Sequence, residues 1–163
     1  MFLTRKRLLA LGAALCYTAV AAALVSQHVF DMVPCAWCVF QRLIYLVLGT
    51  ICLIGLLGPA RIAAGVGAVL AVLGIWAAWF QYTVAAHLVS CDQTFADRFM
   101  VKSGLDGTFP SVFGIFATCM DAQIELLGIE YALWSLGLFV ILFGMMLIAA
   151  LRKVSAVASP RAR

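Results

Sequence analysis

Charge is what this chain most conspicuously lacks. Of 163 residues only 11% are Asp, Glu, Lys or Arg, 66% are hydrophobic, and the mean hydropathy is +1.11. A soluble domain of this size carries roughly a quarter of its residues charged, so that class is excluded and an integral membrane protein is expected. There is no internal repeat and no low-complexity segment. The net charge of +4 gives no reason to invoke nucleic acid, because its distribution is explained by the membrane.

What is present instead is long apolar runs. About 20 apolar residues, rising ~1.5 Å each, cross a ~30 Å hydrocarbon core. Four windows approach this: Leu8 to Val25, Leu43 to Leu57, Ile62 to Phe80 and Ala132 to Leu151. The second is too short if it starts after Arg42, so its helix is expected to open near Pro34 or Cys35, with Arg42 snorkelling or facing a polar site. The first follows Arg5-Lys6-Arg7 like a signal peptide, but three further spans follow it, and it reads as a retained helix. The expected fold is an all-α, polytopic membrane four-helix bundle in a single domain, 1–163, with spans at about 8–25, 35–57, 62–80 and 132–151. Gly58-Pro59-Ala60-Arg61 makes the short turn between the middle spans. The other face carries loops at about 26–34 and 81–131.

Orientation follows from the basic residues. Arg5, Lys6, Arg7, Arg61, Arg152, Lys153, Arg161 and Arg163 lie on one side, and Arg42, Arg98 and Lys102 on the other. The positive-inside rule puts both termini in the cytoplasm and both larger loops outside. All seven acids fall in those outer loops. In the long loop, Val112, Phe113, Ile115 and Phe116 form an apolar patch, either a short helix lying in the interface or loop side chains packed on the helix ends. Gly65, Gly67, Gly74, Gly137 and Gly144 are small residues suited to close helix packing.

Six cysteines divide by topology. Cys16 and Cys52 fall inside spans and read as small apolar residues. Cys35, Cys38, Cys91 and Cys119 all sit at the outer face, two per loop. If that face meets an oxidising compartment, they are expected to pair. Cys35 and Cys38 form C-x-x-C, a motif shared by redox and metal sites. Pro34 suits a first helical position, whose free amides and dipole favour nearby thiolates. Helical spacing puts Cys35, Cys38 and Arg42 on one face, where the guanidinium should lower thiol pKa and could bind an anionic or carbonyl ligand. Cys91 and Cys119, 28 positions apart, are either a disulfide stapling the loop or the second pair of a thiol-disulfide relay. The wide second pair argues against a four-cysteine zinc site, and Val39 after Cys38 argues against C-x-x-C-H haem attachment, so no metal is expected. Trp37 reads as an interfacial anchor.

Four spans, P-C-x-x-C-x-x-x-R opening the second helix, a cysteine pair in the second outer loop and the closing stretch "CMDAQIELLGIEYALWSL" together resemble the DsbB family of bacterial disulfide bond formation proteins. The resemblance covers nearly the whole chain. It implies a thiol:quinone oxidoreductase of the bacterial inner membrane. This would reoxidise a DsbA-like periplasmic partner and pass electrons to ubiquinone, or to menaquinone. By motif position, Cys91 would form the mixed disulfide with the partner, and Cys119 would resolve it and exchange with Cys35. Cys38 would contact the quinone and Arg42 would hold a quinone oxygen. A further polar quinone contact near the end of the third span is implied, for which Gln81 and His87 compete. Gln41 stands where the family can carry an acid. The vitamin K epoxide reductase group also joins four helices, C-x-x-C and a quinone, but with the two cysteine pairs in the reverse order. A membrane protein with two loop-stapling disulfides is the non-enzymatic alternative.

Overall fold

A computed structural model describes residues 4–85 and 94–152. Four long helices are each long and apolar enough to cross a membrane: α1 Arg5–Val29, α2 Ala36–Leu57, α3 Ala60–Thr83 and, later in the chain, α7 Tyr131–Leu151. Each helix starts or ends where local chemistry allows. Thr4 caps α1 by accepting a hydrogen bond from the Arg7 amide. Gly58 and Pro59 separate α2 from α3. Helices α1 and α3 extend beyond their apolar windows at both ends, because backbone hydrogen bonding continues where polar side chains can still reach water.

The helices pack in the cyclic order α1, α2, α3, α7, making an all-α membrane four-helix bundle. The α1–α7 seam is the thinnest of the four. The α3–α7 seam is the closest. Gly74 presses against the Phe139 ring, leaving no room there for a β-carbon, and a β-carbon on Gly67 would meet Met146 Sδ at 3.1 Å. Gly65, Gly137 and Gly144 have open space where a β-carbon would stand, so the expected close packing fails at these three, and Gly137 lines a cavity instead. Cys16 and Cys52 are fully buried, with Cys52 Sγ 3.7 Å from Met146 Sδ, as apolar core residues would be.

At one end of the bundle the Arg5 guanidinium donates to the carbonyls of Ala149, at 2.7 Å, and Arg152. The start of α1 is thereby tied to the end of α7. The connecting segments cover the opposite end. Helix α4, Phe95–Ser103, is capped by Thr94, which accepts from the Asp97 amide, and is stopped by Gly104 in the left-handed region (φ 69°). Its Ala96 and Met100 are buried, and Phe95 and Phe99 meet the Phe40 ring edge-on at 5.8 and 5.7 Å. Two single turns follow, α5 Leu105–Thr108 and α6 Pro110–Phe113. Phe113 is buried, the Phe116 amide donates to Pro34 O, and Ser111 O lies 3.0 Å from His28 Nε2. Much of the apolar patch thus packs on the helix ends.

A two-residue hairpin, β1 Glu125–Leu126 with β2 Ile129–Glu130, turns through Leu127 (φ 58°) and Gly128 (φ 76°). Both turn residues have positive φ, which matches the twist of a tight hairpin. The hairpin delivers Tyr131 directly to the first position of α7.

Candidate functional site

Helix α2 opens one residue later than expected. Cys35 is its N-cap in an extended conformation (φ −88°, ψ 171°), and Pro34 precedes the cap instead of occupying the first turn. The Cys35 carbonyl accepts the helix's first hydrogen bond, from Val39. This geometry brings the Cys35 and Cys38 sulfurs to 3.1 Å, and Cys35 is wholly buried.

Gln81 completes this corner. Sequence boundaries placed it at the start of the long loop, but it lies in the last turn of α3 and points inward, because helical backbone persists past the apolar window to Thr83. Its amide nitrogen donates to Cys38 Sγ at 3.2 Å and approaches Cys35 Sγ at 3.7 Å. Gln41 Nε2 donates to Gln81 Oε1 at 2.6 Å, orienting the amide so that its N–H groups face the sulfurs.

Cys119 is buried and within hydrogen-bond reach of Cys35. This contact is the main reason the Cys35 pKa rises from 9.0 to about 12; Cys38 opposes it as a hydrogen-bond partner, and burial adds to the rise. The lowered thiol pKa expected at the helix N-terminus is therefore not found at Cys35. A thiol held as donor in a dry site keeps its proton, whatever the helix dipole offers. Cys91 and His87 lie outside the described residues.

Arg42 is only 5% exposed, so it does not snorkel. Nη1 donates to Gln27 Oε1 at 2.6 Å and to Val112 O at 2.9 Å, and Nη2 donates to Ala23 O at 3.3 Å. The guanidinium thus ties α1, α2 and the α6 segment together using neutral oxygens. Nε is buried without a partner among the described residues. A buried cation hydrogen-bonded only by neutral groups retains unneutralised charge, which favours an electron-rich ligand beside it.

A cavity of about 580 Å³ opens from this corner between α1, α2 and α7. Cys38, Gln41, Arg42 and Gln81 line its polar end, and alanines, Leu133, Leu138 and Ile141 line much of the rest. Volume and lining suit a flat, largely apolar ligand with a few hydrogen-bonding atoms. Trp37 takes no part. It is buried and packs against Phe40, Trp76 and Phe80, correcting its expected interfacial place: the α2–α3 seam has room for an indole, and filling it removes more apolar surface from water.

Gln27, Tyr45, Tyr131 and Ser135 were not singled out in the sequence. Gln27 had a signal, an amide at the outer end of an apolar run, and so had Tyr45, seven positions after Cys38 on the same helical face. Tyr131 and Ser135 had none, since only the meeting of α7 with α2 brings them here.

The chain is similar to known proteins over most of its length. Residues 5–149 match the family described as "Disulfide bond formation protein DsbB". The chain is 34% identical to "Disulfide bond formation protein B" of Verminephrobacter eiseniae (strain EF01-2), over 92% of this chain and 88% of that protein. It is 30% identical to the protein of the same name from Dechloromonas aromatica (strain RCB), covering 76% and 79% of the two chains. It is also 35% identical to "Disulfide bond formation protein B 2" of Pseudomonas aeruginosa PAO1, covering 76% of each. With C-x-x-C and a third cysteine meeting at the mouth of a membrane bundle, and with a match over nearly its whole length, the chain belongs to the DsbB family and is a multi-pass membrane protein of disulfide bond formation.

Proposed function

We propose that this protein is a thiol:quinone oxidoreductase of the bacterial inner membrane. It reoxidises a DsbA-like periplasmic dithiol and delivers the electrons to a membrane quinone, ubiquinone or menaquinone. The observation that carries the reading is that Cys38, its sulfur 3.1 Å from that of Cys35, lines the 580 Å³ cavity, while Cys119 lies within hydrogen-bond reach of Cys35. The sulfurs of Cys119, Cys35 and Cys38 thereby form a run that ends at the cavity, which supports exchange between the two cysteine pairs. Cell-envelope orientation follows the positive-inside rule, with both termini cytoplasmic and the cysteine loops periplasmic.

The steps are thiol-disulfide exchanges. A partner thiolate attacks the Cys91–Cys119 disulfide at Cys91. The partner's second thiol then releases itself as a disulfide, leaving Cys91 and Cys119 reduced. Cys119 attacks Cys35 of the Cys35–Cys38 disulfide, and Cys38 leaves as a thiolate. Cys91 then attacks Cys119, restoring the loop disulfide and freeing Cys35. Gln81 donates to Cys38 Sγ and so stabilises its leaving charge, and the start of α2 adds its dipole. The cavity residues fit a quinone, with Arg42, whose Nε has no partner among the described residues, and the Gln41–Gln81 amides at one end and apolar walls beyond. When bound, the quinone supplies a two-electron, two-proton acceptor that lets Cys35 and Cys38 return to the disulfide.

The test is oxidation of a reduced DsbA-like partner by the purified protein, following partner thiols and quinone absorbance together. Matched loss of both over many turnovers is expected. Serine at Cys35, Cys38, Cys91 or Cys119 should each stop it. Turnover surviving any of these replacements would overturn the relay, and no quinone-dependent turnover at all would leave two stapling disulfides.

A further inference from the structure

We propose that Tyr45 on α2 and Ser135 on α7 form a second polar station in the cavity, a hydroxyl pair that donates to the ring oxygen of the quinone opposite the one held by Arg42. The inference rests on the quinone reading and goes beyond it. It assigns the site a cyclic dione gripped at both carbonyls and names the residues at the second.

Both side chains line the cavity. Tyr45 Oη lies 2.9 Å from Ser135 Oγ and donates toward Ser135 O at 3.2 Å. Tyr45 Oη thus has the Ser135 carbonyl as an acceptor and the Ser135 hydroxyl as a second partner. Once Tyr45 has donated to that carbonyl, the Ser135 proton is free to turn to Tyr45 Oη or into the cavity. The tyrosine ring cannot wander, because it stacks on Phe139 with centroids 4.1 Å apart and an interplanar angle of 5°, and only 5% of the residue is exposed.

The placement relative to the cysteine corner is set by the helix. Tyr45 follows Arg42 by three residues and Cys38 by seven, on one face, about 4.5 and 10 Å further along the axis. Arg42 turns to Gln27, Ala23 and Val112 while Tyr45 turns to Ser135, so the two donor groups line different parts of the one cavity. The competing explanation is that the hydroxyls only join α2 to α7, as polar pairs do in membrane bundles. Phenylalanine would stack on Phe139 equally well, so the hydroxyl itself is what needs an explanation.

The experiment uses the full-length protein in lipid nanodiscs and short-tailed ubiquinone isotope-labelled at one carbonyl carbon or the other. Infrared difference spectra of the bound quinone are read alongside its dissociation constant. In wild type both carbonyl bands should sit below the free frequency. In Tyr45→Phe and Ser135→Ala one band should return toward it, and affinity should fall by roughly fivefold. That band should be the one Arg42→Lys leaves in place. Ser135→Thr, which keeps the hydroxyl, should restore it. Wild-type binding with neither band nor affinity altered in Tyr45→Phe and Ser135→Ala would overturn the inference alone. Absence of quinone binding by the wild type would overturn the quinone reading, and this inference with it.

Discussion

Gln81 donates a hydrogen bond to Cys38 Sγ without carrying a charge, and in the proposed relay that bond would stabilise the leaving thiolate. Its N–H reaches Cys38 Sγ at 3.2 Å, and Gln41 prevents the amide from turning its oxygen there instead. A hydrogen bond to a charged group contributes about 1.5–3 kcal/mol, so Gln81→Leu should slow single-turnover oxidation of the reduced protein by quinone roughly tenfold or more. An unchanged rate would show that the amide only packs. Cys35 makes a pH prediction. Its pKa, raised from 9.0 to about 12 by the Cys119 contact first and burial after it, means that the reduced state holds a proton there. That proton stabilises the reduced fold fully below pH 9.0, and the contribution is lost as pH climbs toward 12. In an alkaline titration, the thiolate absorbance present in the reduced wild type but missing from Cys35→Ala should stay silent near pH 9 and grow toward 12. A midpoint near 9 would remove this account.

At the scale of elements, the α3–α7 seam depends on the absence of a side chain at Gly74. Gly74→Val would drive methyl groups into Phe139, and overpacking of this kind costs about 1–3 kcal/mol, whereas Gly144→Ala, with open space around it, should be neutral or slightly stabilising. Thermal unfolding of both variants in detergent separates the two outcomes; equal melting would refute the contact. Helix α4 was not expected, although its signature was in the sequence. Thr94-x-x-Asp97 opens it and Gly104 closes it, but nine residues with a short amphipathic face are easily taken for loop. Thr94→Ala should cost about 1 kcal/mol and speed amide exchange over residues 95–103 without disturbing the long helices.

At the scale of the whole molecule, the Arg5 contacts hold the start of α1 and the end of α7 at one end of the bundle, opposite the Cys35–Cys38 corner. A fluorescent reporter fused to the C-terminus should glow in cells, and alkaline phosphatase inserted at Gly107 should be active; the reverse pattern would invert the topology. Membrane residence and four helices were legible because hydrocarbon admits only residues of one kind over a fixed length, a local property of the chain. C-x-x-C and Arg42 were legible for a similar reason, since Cys38 and Arg42, four positions apart on one helix, share a face before any packing occurs, and Cys35 caps that helix one turn earlier. By contrast, Gln81 against Cys38, Cys119 against Cys35, Trp37 in the α2–α3 seam and Ser135 opposite Tyr45 are meetings between segments far apart in sequence. Spacing along the chain carries no information about such distances. They were decided by how the helices close around one another, with glycine letting α3 and α7 approach and the thin α1–α7 seam leaving the cavity open.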